Sequence, residues 1–150
     1  MIRPDQLAQI TDILGAASDL TIATNRPDGY PQATAVSFVN DGAAIYFGSW
    51  SQSQKSKNIE RDGRVSVSVT APYKTWNEIK GISIGGRACK VVKPEELEKV
   101  GAMMLRKFPQ IADYSTAMQD AEMAMFRIDA EVISILDYSK GFGHTELVTR

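Results

Sequence analysis

The stretch Arg64-Val65-Ser66-Val67-Ser68-Val69-Thr70 decides the fold class, because apolar and hydroxyl side chains alternate along it without a break. Successive side chains of a β-strand point to opposite faces of a sheet. The pattern therefore predicts a strand with one buried apolar face and one face of hydroxyl groups. Asp62-Gly63, directly before it, is typical of a turn. We expect the rest of the chain to build an antiparallel sheet around this strand.

Three further strands are predicted on the N-terminal side, where apolar residues recur with a period of two over residues 20–24, 30–39 and 43–48. Turns separate them. Pro27 fixes φ and Gly29 can adopt a positive φ in the first turn, and Asn40-Asp41-Gly42 forms the second. Short turns of this kind join neighbouring antiparallel strands, so these three strands are expected to form a meander.

Two more strands are predicted on the C-terminal side. Residues 79–92 form a long strand in which Gly85-Gly86 marks a bend or bulge, as the corners of a barrel often require. Residues 125–136 form the last strand, and the tail from 137 to 150 is left unassigned. Six antiparallel strands predict a closed or nearly closed small barrel, which also removes exposed sheet edges.

Helices are few, and the chain length suits one domain over residues 1–150. Pro4 and Asp5 favour a helix start, and apolar residues at helical spacing extend that helix to residue 14. Further helices are predicted over 51–61 and 94–108, with a second short helix after Pro109. Five methionines cluster around the later helices and are interpreted as flexible packing residues of the core or of a dimer, namely Met103, Met104, Met118, Met123 and Met125. The sequence thus indicates a mainly β domain with flanking helices.

Composition excludes several classes of partner. The formal net charge is −1, from 17 basic and 18 acidic residues, so the chain has no electrostatic footprint for nucleic acid. No stretch approaches the about 20 apolar residues that span a membrane, and the first residues have no apolar run of signal-peptide type. Cys89 is the only cysteine, which excludes an intrachain disulfide and favours a reducing cytoplasm.

The side chains offer little reactive chemistry of their own. His144 is the only histidine, and no cysteine pair, zinc-binding helix, nucleophile elbow or glycine-rich phosphate loop is present. Any redox activity is therefore expected to come from a bound cofactor.

A phosphate site is indicated between Tyr46 and Ile59. Here a strand ends, Gly48 and several hydroxyl residues follow, and a helix begins. A helix N-terminus offers free N–H donors and the positive end of a dipole, which favours phosphate. Ser49 and Ser53 can add hydroxyl groups, and Lys55 adds a full charge. In the alternative interpretation, a serine only caps the helix and the lysines are solvated. The spacing alone leaves both interpretations open.

Several segments resemble the FMN-binding split barrels related to pyridoxamine 5′-phosphate oxidase, and their order and spacing hold from about residue 20 to about residue 137. The segments are Gly29-Tyr30-Pro31-Gln32, Ala43-Ala44-Ile45-Tyr46-Phe47-Gly48-Ser49, Ser53-Gln54-Lys55 with Asn58-Ile59, Gly63-Arg64-Val65-Ser66-Val67, and Ile84-Gly85-Gly86-Arg87-Ala88.

The resemblance implies a six-stranded antiparallel split β-barrel of Greek-key type, which works as a homodimer with FMN at the subunit interface. It implies that Lys55 and Ser49 contact the FMN phosphate, with Gly48, Ser53 and Gln54 close by. It also implies that the strand Thr34-Ala35-Val36-Ser37 lies along the isoalloxazine, partly through backbone groups. Trp76, in a loop longer than the oxidase pattern, is a candidate for lining the site.

The chain departs from the oxidase at four points. Thr34 and Gln54 stand where the oxidase has arginines, and Gly81 stands where it has a flavin-contacting glutamine. The C-terminal tryptophan and the Arg-Leu-x-Pro-like segment that hold the vitamin substrate are missing. The resemblance therefore implies the fold and the flavin but not pyridoxamine 5′-phosphate oxidase activity.

The leading hypothesis is an FMN-dependent oxidoreductase with NAD(P)H or another small reductant as electron donor. Two alternatives remain open. The first is a flavin-binding carrier, sensor or stress-response protein without rapid turnover. The second is the same barrel holding a deazaflavin or haem, and a haem protein would need an axial ligand, for which His144 is the only histidine.

Overall fold

The computed structural model describes residues 1–149 of the chain. Its strands are β1 (Asp19–Asn25), β2 (Pro31–Asp41), β3 (Ala44–Trp50), β4 (Arg64–Thr70), β5 (Lys80–Lys90), β6 (Met123–Asp137) and β7 (Thr145–Thr149). Its α-helices are α1 (Pro4–Ala16), α2 (Gln54–Arg61), α3 (Pro94–Lys107) and α4 (Ser115–Asp120). Short 3₁₀ turns occur at Trp76–Glu78, Pro109–Tyr114 and Tyr138–Lys140. Among the described residues, no helix is long and apolar enough to cross a membrane.

Six strands close into a barrel in the order β3-β2-β1-β4-β5-β6, and an antiparallel pairing of β3 with β6 completes the ring. The meander β1-β2-β3 is followed by β4, which returns to lie beside β1, and this is the Greek-key order. The predicted six-stranded antiparallel barrel is confirmed. The tail adds a seventh strand, since β7 pairs with β6 over Val132–Leu136. The sequence left this short strand unassigned.

The alternation of β4 determines which face is inside. Val65, Val67 and Val69 are buried, whereas the hydroxyl residues between them are exposed, as predicted. Three phenylalanines fill the barrel with no exposed surface, and Phe47 stacks on Phe126 with ring centroids 5.4 Å apart. Helix α1 covers the same core with its buried residues Ile10, Ile13 and Leu14.

Helix α3 packs outside the barrel against a second, smaller cluster of buried residues, which consists of Val39, Tyr46, Val91, Val100 and Phe108. Polar contacts fix the start of the helix. Arg127 of β6 donates to the Glu96 carboxylate at 2.9 and 3.2 Å, and the Tyr46 hydroxyl donates to it at 3.0 Å. The Arg127 guanidinium holds the pKa of Glu96 below its usual range. This anchoring matters because α3 forms one wall of the cavity described below.

A bulge bends β5 around the barrel at Gly85-Gly86, where the sequence predicted it. Gly85 pairs with Val132 and Gly86 with Ala130, so Glu131 has no partner in the ladder. The two strands approach closely here. A Cβ on Gly86 would lie 2.4 Å from the Asp129 carbonyl oxygen, whereas a Cβ on Gly85 would meet no atom within 4 Å. Only the second glycine is required by the close approach of the backbones.

The bulge gives a test of the fold with a matched control. Gly86→Ala is expected to lower the free energy of unfolding by about 1–3 kcal/mol, because backbone atoms must shift to admit the methyl group. Gly85→Ala is expected to stay within about 0.5 kcal/mol of the parent protein. Urea denaturation of the three proteins measures the difference. Equal midpoints for both variants would contradict the close approach at Gly86.

Candidate cofactor site

The barrel splits between β2 and β3. The two strands pair from Phe38–Phe47 to Asp41–Ala44, but residues 31–37 of β2 pair only with β1. Beyond Phe47, β3 pairs only with β6. Alternate N–H and C=O groups along residues 31–37 therefore point to a side on which no described strand lies. The segment predicted to lie along a flavin is this open edge.

A cavity of about 610 Å³ lies at the split, and we call it the split-edge cavity. One side is lined by Ala35, Val36 and Ser37 of β2, Gly48 of β3 and Lys55 of α2. The other side is lined by Gly101, Met104, Phe108, Gln110, Ile111, Tyr114, Met118, Met123 and Met125. The structure thus brings five of the ten predicted site residues to one cavity.

A chain of hydroxyl groups fixes the start of α2. Ser53 is the N-cap, and its Oγ accepts a hydrogen bond from the Ser56 N–H at 3.1 Å. The same Oγ lies 2.9 Å from the Oγ of Ser49, which is buried. The Ser56 hydroxyl donates to the Trp50 carbonyl oxygen at 2.7 Å. Ser53 therefore caps the helix, as the alternative interpretation proposed, and it does so beside the predicted phosphate residues.

The start of α2 also carries unsatisfied donors. The N–H groups of Gln54 and Lys55 have no acceptor in the part of the chain that the structure describes. Lys55 makes no ion pair with any described residue, and burial lowers the pKa of its ammonium group. The Oγ atoms of Thr34 and Ser51 are buried without a partner in residues 1–149. A half-buried cation and free N–H groups at a helix N-terminus fit a phosphate.

Five of the predicted residues do not line this cavity, and the side chains of two of them are held elsewhere. Gln54 donates through its amide to Asn58 at 2.7 Å, and Asn58 in turn donates to Thr24 at 3.0 Å, so the Gln54 side chain is held on its own helix. Trp76 is 68% exposed and packs against Phe142 with ring centroids 6.1 Å apart. It does not line the split-edge cavity of its own chain.

Sequence reasoning missed the opposite side of the cavity. Four methionines line it, and we call them the methionine wall: Met104, Met118, Met123 and Met125. The sequence predicts packing roles for them, because a methionine in a helix or strand gives the same pattern whether it faces a core or a cavity. The clustering of these methionines in the last third of the chain is the sequence feature that could have indicated this side of the cavity.

The family model for pyridoxamine 5′-phosphate oxidase matches residues 7–137, which is most of the chain. The chain belongs to the pyridoxamine 5′-phosphate oxidase family. No curated protein matches the sequence. The family match agrees with the predicted resemblance, and the split barrel is the fold that the resemblance implied.

Solved structures of this fold include proteins of different kinds. A conserved hypothetical protein, Rv2991, from Mycobacterium tuberculosis is 28% identical with a TM-score of 0.77, over 94% of this chain and 91% of that one. A haem-binding protein from Mycobacterium smegmatis is 18% identical with a TM-score of 0.81, over 99% of this chain but only 60% of that one. HutZ, a haem storage protein from Vibrio cholerae, is 23% identical with a TM-score of 0.68, over 83% of this chain and 89% of that one. At such identities, the two haem proteins share the fold alone.

The cap at α2 can be tested separately from any ligand. Ser53→Ala is expected to lower the free energy of unfolding by about 1 kcal/mol, because the Ser56 N–H loses its acceptor. Ser51→Ala removes a buried hydroxyl that has no partner, so it is expected to leave stability unchanged or to raise it. Thermal and urea denaturation without added cofactor measure both. A loss at Ser51 equal to that at Ser53 would show that the two hydroxyls were assigned wrongly.

Proposed function

We propose that the protein binds FMN in the split-edge cavity and works with it as an oxidoreductase, with NAD(P)H or another small reductant as electron donor. The observation that carries the proposal is the half-buried ammonium of Lys55. It has no carboxylate partner among the described residues, and it lies beside two N–H groups of α2 that have no described acceptor. A phosphate there would satisfy all three groups at once. The exposed single cysteine, Cys89, is compatible with a reducing cytoplasm, which we propose as the location.

The chain's own residues would bind and orient the cofactor. Lys55 and the start of α2 would hold the phosphate, with Ser49 and Ser53 keeping that turn in place. The open edge of β2 would supply backbone hydrogen bonds to the flavin ring, and the buried Thr34 hydroxyl has no other described partner. When bound, FMN would supply hydride and electron transfer, chemistry that the side chains lack. The wall formed by α3 and the segment after it would exclude water from one side of the ring.

Haem fits this cavity less well than FMN. His144 does not line it, and among its described lining residues only thioethers and the Tyr114 phenol can act as axial ligands. A deazaflavin with a phosphate would use the same donors as FMN. The visible spectrum of the protein as purified separates the three cofactors, and steady-state reduction by NADPH separates an oxidoreductase from a flavin carrier.

A homodimer is supported by the outward face of the sheet. Two rows of directly paired residues cross five strands there without a charged side chain, although 23% of the chain is charged. The rows are Ala35, Thr21, Ser68, Ser83 and Ser134, and Ala33, Ala23, Ser66, Gly85 and Val132. Small uncharged side chains allow two sheets to pack closely. Ala35 also lines the split-edge cavity, so a second copy on this face would reach the edge of the cofactor site.

The role of Lys55 in phosphate binding is tested with Lys55→Ala. Loss of a charge-assisted contact, about 1.5–3 kcal/mol, is expected to weaken FMN binding about ten- to a hundredfold in a flavin fluorescence titration. Lys57→Ala is the control, since Lys57 lies on the same helix but does not line the cavity. An unchanged dissociation constant for Lys55→Ala would refute the phosphate site.

The proposed dimer is tested with Ser68→Glu, which places a carboxylate in the middle of the uncharged face. An uncompensated charge in a packed interface is costly, so light scattering is expected to change from twice the chain mass to the mass of one chain. Ala8→Glu, on an exposed position of α1, is the control and should remain dimeric. A parent protein that is already a monomer, or a Ser68→Glu variant that stays dimeric, would contradict this interface.

A further inference from the structure

We propose that the methionine wall side of the split-edge cavity takes an uncharged, largely apolar organic molecule as the reaction partner of the cofactor. This inference rests on the proposed FMN site, because it assigns Lys55 to the cofactor phosphate. It names the class of substrate for which the cavity is built and excludes phosphorylated substrates.

The described residues that line the cavity are almost all uncharged. Lys55 is the only charged residue among the described residues that line the cavity. Once a cofactor phosphate occupies it, no described lining residue is left to pair with a second anion. Transfer of an unpaired phosphate or carboxylate into such a site is unfavourable, because the anion loses hydrating water without gaining a cation.

The side chains on the methionine-wall side of the cavity are mainly apolar. Met104, Met118, Met123 and Met125 present thioethers, and Phe108 and Ile111 add further apolar surface. Methionine is flexible and polarizable, and it packs well against aromatic rings of differing shape. The polar groups on this side are the Gln110 amide and the Tyr114 hydroxyl. They suit one carbonyl or hydroxyl group on an otherwise apolar molecule.

The segment that follows α3 forms part of this side of the cavity. Residues 109–120 contribute Ile111, Tyr114 and Met118 to the cavity, yet none of the residues of this segment is buried. Ile111 also packs against the smaller hydrophobic cluster, whereas Tyr114 and Met118 line the cavity without belonging to either cluster of the described core. Apolar surface that is kept at the mouth of a cofactor cavity favours an apolar ligand.

A matched pair of probes tests the inference. 1-Naphthol and 1-naphthyl phosphate have the same ring and differ in the phosphate, and isothermal titration calorimetry measures the affinity of both for the FMN-loaded protein. We expect 1-naphthol to bind at least about tenfold more tightly than 1-naphthyl phosphate. Without FMN, Lys55 is free, and we expect this preference to be lost or reversed. Equal affinities for the two probes in the FMN-loaded protein, or no naphthol binding at all, would overturn the inference.

Variants at two positions, Lys55 and Met118, separate this inference from the FMN assignment. Lys55→Ala without FMN should prefer 1-naphthol, since it has no cation in the cavity, and this experiment stands even if FMN does not bind. Met118→Lys should raise the affinity for 1-naphthyl phosphate about tenfold or more in the FMN-loaded protein, whereas Met118→Leu should not. A Lys55→Ala protein that still binds 1-naphthyl phosphate as tightly as 1-naphthol would show that another group in the cavity accepts anions.

Discussion

The separation of β2 from β3 beyond the Phe38–Phe47 pair is the constraint on which the site depends. The rings of Phe47 and Phe126 stack at that level, and β6 pairs with β3 both before and beyond it, so that beyond it β6 is the only strand paired with β3 among the described residues. The first half of β2 then has one neighbour only. Unpaired backbone groups at such an edge must find water or a ligand. The chain covers the gap with α2 on one side and α3 on the other, and a cavity lies between them.

Lys55 would couple folding to the proposed ligand binding at this gap. The hydroxyl chain from Ser49 through Ser53 to Ser56 holds the start of α2, and this places an ammonium where burial lowers its pKa. A partly desolvated charge without a partner reduces the stability of the empty protein. An anion that pairs with it recovers this loss, so the cofactor is expected to stabilise the fold by mass action, by about 2.7 kcal/mol at a concentration of 100 times its dissociation constant.

The sequence predicted those parts of the structure that local patterns determine. These parts are the strict alternation of β4, the turns of the meander and the glycine pair of the bulge. Each depends either on the backbone conformation of single residues or on the burial of one face of a strand. On one side of the cavity, the start of α2 was predicted because a strand end, a helix cap and a lysine are consecutive, and the β2 segment was predicted from the family resemblance. The methionine wall was missed, because its members come from three elements, α3, α4 and β6, which only the tertiary fold brings together. The docking of α3 itself depends on Glu96 and Arg127, which are 31 residues apart in the sequence. The strand β7 was missed because five residues beside glycines carry little pattern of their own.

Charge, more than shape, separates this site from that of a relative that acts on a phosphorylated vitamin. A cofactor phosphate needs one cationic region, and a phosphorylated substrate needs a second. Thr34 and Gln54 stand where the oxidase pattern has arginines, and the structure holds Gln54 on its own helix, while Thr34 is left with a buried hydroxyl. Neither residue offers a positive charge. A cavity with one described cation and a wall of thioethers would therefore be compatible with the proposed phosphate site, but it would require a different class of substrate from a phosphorylated vitamin.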